Sequence, residues 1–172
     1  MDRTFIDMPA TLLIAFLTVT VQRAQVPPET RQFDFWIGSW NAVGKMSAGP
    51  GKWQDTAGAN KISHIMNGFT VQEEFTMGAT RGSSWSVFDV PHKLWRQTWV
   101  DNSGSYIALS GKFEDGKMVL TTLPDPRRPK SVHRMTYSNI TPEAFDWDWE
   151  GSRDGGTTWN LQWHLHYTRK KS

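Results

Sequence analysis

Cysteine is absent from the 172-residue chain. This absence excludes a disulfide scaffold, a thiolate zinc site, an iron–sulfur cluster, a cysteine nucleophile and a lipoprotein anchor on cysteine. A charge excess of one sign is absent as well, because 19 basic residues stand against 17 acidic ones and the net charge is +2. Basic residues cluster only at 127–130 and 169–171, and nucleic-acid binding normally requires a broader basic face. We therefore expect no nucleic-acid partner.

A long hydrophobic run is also missing. The main apolar stretch, Ala10–Val21, has about twelve residues, whereas a membrane-spanning helix needs roughly 20. Arg3 precedes this stretch and Ala24 offers a cleavage position, so residues 1–24 are typical of a secretory signal peptide. The alternative is an N-terminal helix packed on the domain. We expect a secreted or periplasmic protein that makes no stable membrane insertion once the signal is removed.

Beyond residue 33 the chain lacks helical periodicity, and short segments alternate between apolar and polar residues instead. In Phe145–Glu150 the aromatic residues share one face and the acidic residues share the other. A second segment, 159–167, alternates in the same way. Its apolar face is predicted to hold Trp159, Leu161, Trp163, Leu165 and Tyr167. Strands with one wet face and one dry face are typical of an antiparallel sheet.

Turn signals such as Asn67-Gly68 and Asp115-Gly116 separate about ten of these segments, the first near residues 35–47. Regularly spaced short strands favour an up-and-down barrel, whose closure also removes exposed sheet edges. The predicted fold is all-β: a roughly ten-stranded antiparallel up-and-down β-barrel. In this interpretation residues 25–32 are a linker and residues 33–172 form a single barrel domain.

The first predicted strand carries a Gly-x-Trp sequence, Gly38-Ser39-Trp40, and the last one carries Arg169. In an all-β chain this combination resembles the calycin superfamily of lipocalins, fatty-acid-binding proteins and nitrobindins. The resemblance implies that Trp40 closes the barrel floor and that Arg169 lies over its ring. Such a contact combines a cation–π interaction with exclusion of water from the barrel end. We therefore predict a structural contact between Trp40 and Arg169.

A wider pattern resembles a family of bacterial secreted proteins. That family shares an FDFWIG-x-W stretch, a central GSSxSVxD followed by W-RQTWVDNSG, and a C-terminal DGGxTW. The matching pieces are residues 33–40, 82–89, 95–104 and 154–159, and the resemblance covers roughly residues 32–170. It implies a lipocalin-like barrel and implies no activity.

The segment Ser152–Trp159, SRDGGTTW, matches the Asp-box of sialidase propellers. In those enzymes the box is a hairpin turn remote from the catalytic groups. Here Asp154 is expected to bind backbone amides within the turn, and Trp159 is expected to pack beneath it. Because the chain holds a single copy, the box indicates a structural turn and not a sialidase.

Two of the five histidines, His164 and His166, lie two residues apart in the last predicted strand and therefore share a face. This spacing can hold zinc or copper when a third ligand is adjacent. Their face is the polar one, so we interpret them as solvated outer-face residues and predict no metal site. A haem alternative rests only on analogy with nitrobindin, which ligates haem through a histidine, so no cofactor is expected from the residues themselves.

Glu73 and Glu74 are neighbours in the segment VQEEF, so their side chains point to opposite faces of a strand. One of them is expected to face the aromatic side. A carboxyl group there would have a raised pKa and could act as an acid or base, or bind the polar end of a ligand. The alternative is a structural ion pair of the buried glutamate with Arg96 or Arg134.

Ten tryptophans against three tyrosines are more than barrel closure requires, and indole rings suit the wall of a cavity for a flat apolar ligand. The predicted function is therefore an extracytoplasmic barrel that binds a small apolar or aromatic molecule. The candidate ligand-binding residues are Trp36, Glu73, Arg96, Trp99, His133, Arg134 and Trp147. One alternative is a hydrolase or isomerase that uses a glutamate with a neighbouring histidine or arginine. Another is a packed interaction module without a ligand.

Overall fold

The computed structural model describes residues 25–171 of the chain, so the predicted signal peptide lies outside the described residues. A 3₁₀ helix, Pro28–Trp36, precedes ten strands, and a second 3₁₀ turn, Met66–Gly68, connects the second strand to the third. The strands are β1 (Gly38–Gly49), β2 (Lys52–Ile65), β3 (Thr70–Met77), β4 (Thr80–Asp89), β5 (Leu94–Asp101), β6 (Tyr106–Glu114), β7 (Lys117–Thr122), β8 (Val132–Ser138), β9 (Ala144–Ser152) and β10 (Asn160–Arg169). No helix within this part of the chain is long and apolar enough to cross a membrane.

Each strand pairs in antiparallel fashion with the strand that follows it in the chain, and β1 pairs with β10 to close the sheet. The result is a closed ten-stranded up-and-down barrel, so the predicted fold class is confirmed. Closure leaves every strand with two neighbours and therefore no free edge. Alternate residues of each strand point into the barrel, as the burial of Phe145, Leu165 and Tyr167 in β9 and β10 illustrates.

The N-terminal 3₁₀ helix covers one end of the barrel, which we call the floor. Its buried residues, Thr30, Phe33 and Trp36, are three apart, and three residues form one turn of a 3₁₀ helix. One side of the helix therefore faces the barrel throughout. The ring of Phe33 packs edge-on against Trp95 at 4.6 Å, and that of Trp36 lies 5.2 Å from Tyr137.

This helix corrects two expectations about the N-terminal region. Residues 28–32 are helical, whereas the sequence predicts a linker over 25–32, and Trp36 ends the helix instead of lying in the first strand. The reason is local: Pro28 fixes a helical φ at the first position of the helix, and strand alternation begins only at Gly38.

Trp40 and Arg169 make the predicted contact at the floor. The guanidinium carbon of Arg169 lies 4.1 Å from the centre of the Trp40 ring. The Arg169 Nη1 atom also donates a hydrogen bond to the main-chain carbonyl of Ile37, and its Nε atom donates to that of Pro142. The indole nitrogen of Trp40 donates to the Trp36 carbonyl at 2.8 Å. One cation and one indole thus fasten the helix, β1 and β10 together.

The last strand departs from the predicted alternation at its start. The pairing of β10 with β9 contains a β-bulge between Leu161 and Trp163, and a bulge shifts the side-chain alternation by one residue. Leu161 is 41% exposed, and Trp159 precedes the strand. The bulge breaks the continuity of the predicted apolar face. Of its five residues, only Trp163, Leu165 and Tyr167 point into the barrel.

The Asp-box forms the turn between β9 and β10 at the opposite end of the barrel, which we call the mouth. The Asp154 carboxylate accepts hydrogen bonds from the backbone amides of Thr157 and Thr158 and from the Ser152 hydroxyl. These donors hold the pKa of Asp154 well below its usual range. Gly156 has a φ of +93°, and a Cβ atom there would lie 3.2 Å from the Trp159 ring. The segment thus forms the expected turn, and the Trp159 ring packs against Gly156.

Candidate functional site

A cavity of about 340 Å³ lies inside the barrel, between the floor and the mouth. Seven aromatic rings from five strands line it: Phe75, Trp99, Tyr137, Trp147, Trp149, Trp163 and Tyr167. These residues occupy inward positions of β3, β5, β8, β9 and β10. The closed sheet brings them together although they are spread over much of the sequence.

The rings hold one another in place through direct contacts. Phe75 packs edge-on against Trp99 and against Trp163, each at 6.0 Å between ring centres. Trp147 lies edge-on to Trp163 at 5.3 Å and is stacked on Trp149 at 6.3 Å. Edge-on and offset-stacked pairs are the favoured arrangements of aromatic side chains. The rings of the wall therefore support one another through direct packing.

Gly82 allows Trp99 to lie flat on the wall. A Cβ atom at Gly82 would fall 2.1 Å from Cζ2 of the Trp99 ring, a distance that no real contact permits. We expect Gly82→Ala to displace the indole and to lower the free energy of unfolding by about 1–3 kcal/mol, the usual cost of overpacking. Chemical denaturation with near-ultraviolet circular dichroism measures both effects. Ser83→Ala, on the opposite face of β4, is the matched control, and equal behaviour of the two variants would refute this role for Gly82.

Glu73 is the buried carboxyl group of the cavity wall, with 7% of its surface exposed. The Asn60 Nδ2 group donates to Glu73 Oε1 and the Ser84 hydroxyl donates to Oε2, each at 2.6 Å. Asn60 comes from β2 and Ser84 from β4, so the two strands that flank β3 hold the carboxyl group from both sides. Burial raises the pKa of Glu73, and the two hydrogen bonds oppose that rise.

A wider polar network surrounds this carboxyl group. The Gln97 Nε2 group donates to the hydroxyls of Ser84 and Ser86 at 3.3 and 3.0 Å. The hydroxyl of Tyr167 lies 3.5 Å from Asn60 Nδ2. Burial and the nearby charge of Glu73 raise the pKa of Tyr167 above its ordinary value of 10, so this phenol stays protonated at neutral pH. The site thus combines an aromatic wall with one polar corner, which is the network of Glu73, Asn60, Ser84, Gln97 and Tyr167.

Glu73→Gln is expected to be more stable than the unaltered protein at neutral pH. The pKa of Glu73 is raised on folding, so the charged carboxylate pays a burial cost that the unfolded chain does not bear. This cost disappears as the pH falls through the raised value towards 4.5, the ordinary pKa of the group. The stability difference between the two proteins should therefore shrink in acid. Urea titrations across this range measure it, and a pH-independent difference would contradict burial of the charge.

The structure brings three of the sequence-predicted site residues together in the cavity wall: Glu73, Trp99 and Trp147. Trp36 lies in the floor instead. His133 lies at the mouth, where its ring is stacked on Trp149 at 5.3 Å with an interplanar angle of 7°. Burial is the main cause that lowers the pKa of His133.

The prediction that Arg96 and Arg134 bind the ligand requires both side chains to lie in the interior. The structure places neither of them there. Each is the strand neighbour of an inward-facing residue and therefore points outward. Arg96 Nε lies 2.6 Å from Asp89, and Arg134 Nε lies 2.6 Å from Glu150. The alternative in which one of these arginines pairs with the buried glutamate is thus wrong. Arg134 also lies over the Trp159 ring at 4.2 Å.

Sequence reasoning missed the polar partners Asn60 and Ser84 and the two tyrosines of the wall, Tyr137 and Tyr167. The strand alternation indicates the two tyrosines, because Tyr137 is two residues from the inward Met135 and Tyr167 shares a face with Leu165. The contact of Glu73 with Asn60 and Ser84 depends on the register of three strands. Alternation does not fix register between strands.

The histidine pair of β10 lies on the outer face, as the polar alternation predicted. His164 Nδ1 lies 2.7 Å from Asp148, and His166 Nδ1 lies 2.6 Å from Asp146. Over residues 25–171 no three metal-ligating side chains form a group that could hold an ion. No histidine lines the interior cavity, so the haem alternative finds no histidine ligand in its wall.

The barrel is similar to two solved structures. Rv2717c from M. tuberculosis aligns with a TM-score of 0.59 and 11% identity, over 86% of this chain and 100% of that chain. The S-type phycobiliprotein lyase CPES from Guillardia theta aligns with a TM-score of 0.55 and 12% identity, over 81% of this chain and 91% of that one. At such identities the likeness concerns the fold alone, and it supports a barrel of the calycin type.

Sequence comparison adds no family to this picture. No protein-family model matches the chain, and no curated protein is similar to it in sequence. The resemblance to a bacterial secreted family therefore stays a prediction.

Proposed function

We propose that the barrel binds a small apolar or aromatic molecule in its interior cavity. The observation that carries this proposal is an unfilled space of about 340 Å³ whose wall is mostly apolar and includes seven aromatic rings. Protein interiors are normally packed to the density of organic crystals. Ligand sites typically occupy several hundred cubic ångströms and combine apolar walls with a few placed polar groups. The wall rings and Glu73 fit that description.

The two other functions considered from the sequence have less support. A packed interaction module requires a filled interior, and the cavity gives that alternative no support. An acid–base enzyme of the kind considered requires a histidine or arginine beside the buried glutamate. Within residues 25–171 the hydrogen-bond partners of the Glu73 carboxyl group are Asn60 and Ser84. The lyase activity named for the Guillardia theta barrel supports a function for this architecture beyond a structural one.

Native mass spectrometry of the purified protein, followed by titration with an apolar naphthalene dye, tests the proposal. We expect either a bound mass that is lost on denaturation or saturable binding of one dye molecule per chain. Failure of every apolar and aromatic probe to bind saturably would overturn it. An absorbance spectrum of the same sample reports any haem, which the proposal does not require.

The proposed location is outside the cytoplasm, because residues 1–24 have the pattern of a secretory signal. Expression in an exporting bacterial host tests this location. The intact mass of the periplasmic fraction should correspond to a chain that begins at Gln25 or near it. Retention of the full chain in the cytoplasm would contradict the location without affecting the binding proposal.

A further inference from the structure

Apart from its two protonated tyrosines, the ionisable residues of the cavity wall are carboxylic acids. Glu73 lies in the polar corner, and Asp101 lies where β5 ends at the mouth. Lysine, arginine and histidine are all missing from the residues that line the cavity. Hydrogen bonds from Ser103 and from the Trp99 indole hold the pKa of Asp101 well below its usual range, so this group is charged at neutral pH. The interior is therefore electronegative, although the chain as a whole has a net charge of +2.

The Glu73 carboxyl group keeps unused capacity to accept hydrogen bonds. Each carboxylate oxygen accepts one hydrogen bond and has capacity for a second. The Asn60 Oδ1 and Gln97 Oε1 atoms are buried and receive no hydrogen bond. The orientation of the Asn60 amide is fixed because its nitrogen donates to Glu73. Glu73 lines the cavity, so its free acceptor capacity is complementary to a ligand group that brings N–H donors.

The rings of the wall add a second attraction for positive charge. An aromatic ring carries a negative face, and a cation over that face is stabilised most when both are desolvated. Trp99, Trp147 and Trp163 lie in the same wall as the carboxyl group. Apolar rings alone would accept a neutral ligand equally well. The combination of rings with an acidic corner distinguishes a cation from a neutral molecule of the same shape.

We propose that the ligand is an organic cation, with an aromatic or apolar body among the rings and an ammonium group paired with Glu73. This inference rests on the proposed function, since it specifies the ligand of the same cavity. The physical gain comes from Glu73, because a buried carboxylate without a positive partner is costly and a ligand cation removes that cost. Asp101 is engaged by Trp99 and Ser103, so it supplies charge at the mouth and leaves the direct pairing to Glu73.

Calorimetric titration with three indole derivatives at neutral pH tests this specificity: tryptamine, tryptophol and indole propionate carry a positive, a neutral and a negative group on the same indole ethyl body. We expect tryptamine to bind at least about tenfold more tightly than tryptophol, and the anion to bind most weakly. In Glu73→Gln the preference for tryptamine should disappear while the affinity for tryptophol stays within about twofold. Glu74→Gln, whose side chain is exposed on the outer face of the same strand, is the matched control and should retain the preference.

The outcomes separate this inference from the proposed function. Equal affinity for the three probes, or preference for the neutral or anionic one, overturns the cation proposal and leaves the binding proposal standing. Binding of none of them, together with failure of the naphthalene dye, overturns both. A tryptamine preference that survives in Glu73→Gln also overturns the pairing. The comparison of the three probes on the unaltered protein is decisive by itself if that variant does not fold.

Discussion

Replacement of Trp40 by alanine is expected to lower the free energy of unfolding by about 3–5 kcal/mol. Trp40 is fully buried in the floor. Its removal takes away the partner of the Arg169 guanidinium and the donor to the Trp36 carbonyl, and it leaves a cavity against Phe145, whose ring centre is 4.9 Å away. The free energy of unfolding of a domain is typically about 5–15 kcal/mol. This single change therefore removes a large fraction of it.

Urea denaturation followed by tryptophan fluorescence measures the effect. Trp85→Ala is the control, because Trp85 lies on the barrel's outer face and is 39% exposed. It should cost about 1 kcal/mol or less. A similar decrease in the free energy of unfolding in the two variants would show that the Trp40 contacts in the floor do not contribute specially to the stability of the barrel.

Trp147→Ala is expected to weaken the binding of an aromatic ligand by about thirtyfold, or roughly 2 kcal/mol. Trp147 lies in the cavity wall between Trp149 and Trp163 and packs on both. Its loss removes one ring contact to the ligand, widens the cavity and frees its two neighbours to move. The dissociation constant of the naphthalene dye, from a fluorescence titration, measures the change.

Trp53→Ala controls for binding elsewhere. Trp53 is 46% exposed and lines two other depressions, neither of which shares a lining residue with the interior cavity. The affinity should be unchanged in this variant, and Trp147→Phe should recover part of the loss. If Trp53→Ala weakens binding more than Trp147→Ala does, the ligand site lies on the outer surface and the cavity proposal fails.

The barrel was predictable because alternation in single segments reports the face to which each residue belongs. Phe145–Glu150 alternates without interruption, and its apolar residues do face the interior. The Trp40–Arg169 contact was predictable only through the calycin resemblance, since neither residue by itself indicates a partner so distant in sequence. The Asp154 turn was readable because its contacts are local.

Other features depend on information that single segments do not carry. The floor helix has the three-residue spacing of Thr30, Phe33 and Trp36, a signal that a search for α-helical periodicity overlooks. The bulge before Trp163 shifts the strand by one residue and has no sequence signature of its own. The polar partners of Glu73 depend on how three strands align.

The most direct test of the interior site is a titration of isotope-labelled protein with tryptamine, monitored through the N–H resonances of the ten indoles by nuclear magnetic resonance. Single tryptophan-to-phenylalanine variants assign the signals. Binding in the cavity predicts saturable shifts of the four indoles in its wall, which are Trp99, Trp147, Trp149 and Trp163. The signals of Trp53 and Trp85 should stay in place. Shifts confined to Trp53, or no saturable shift of any wall indole, would contradict a ligand site inside the barrel.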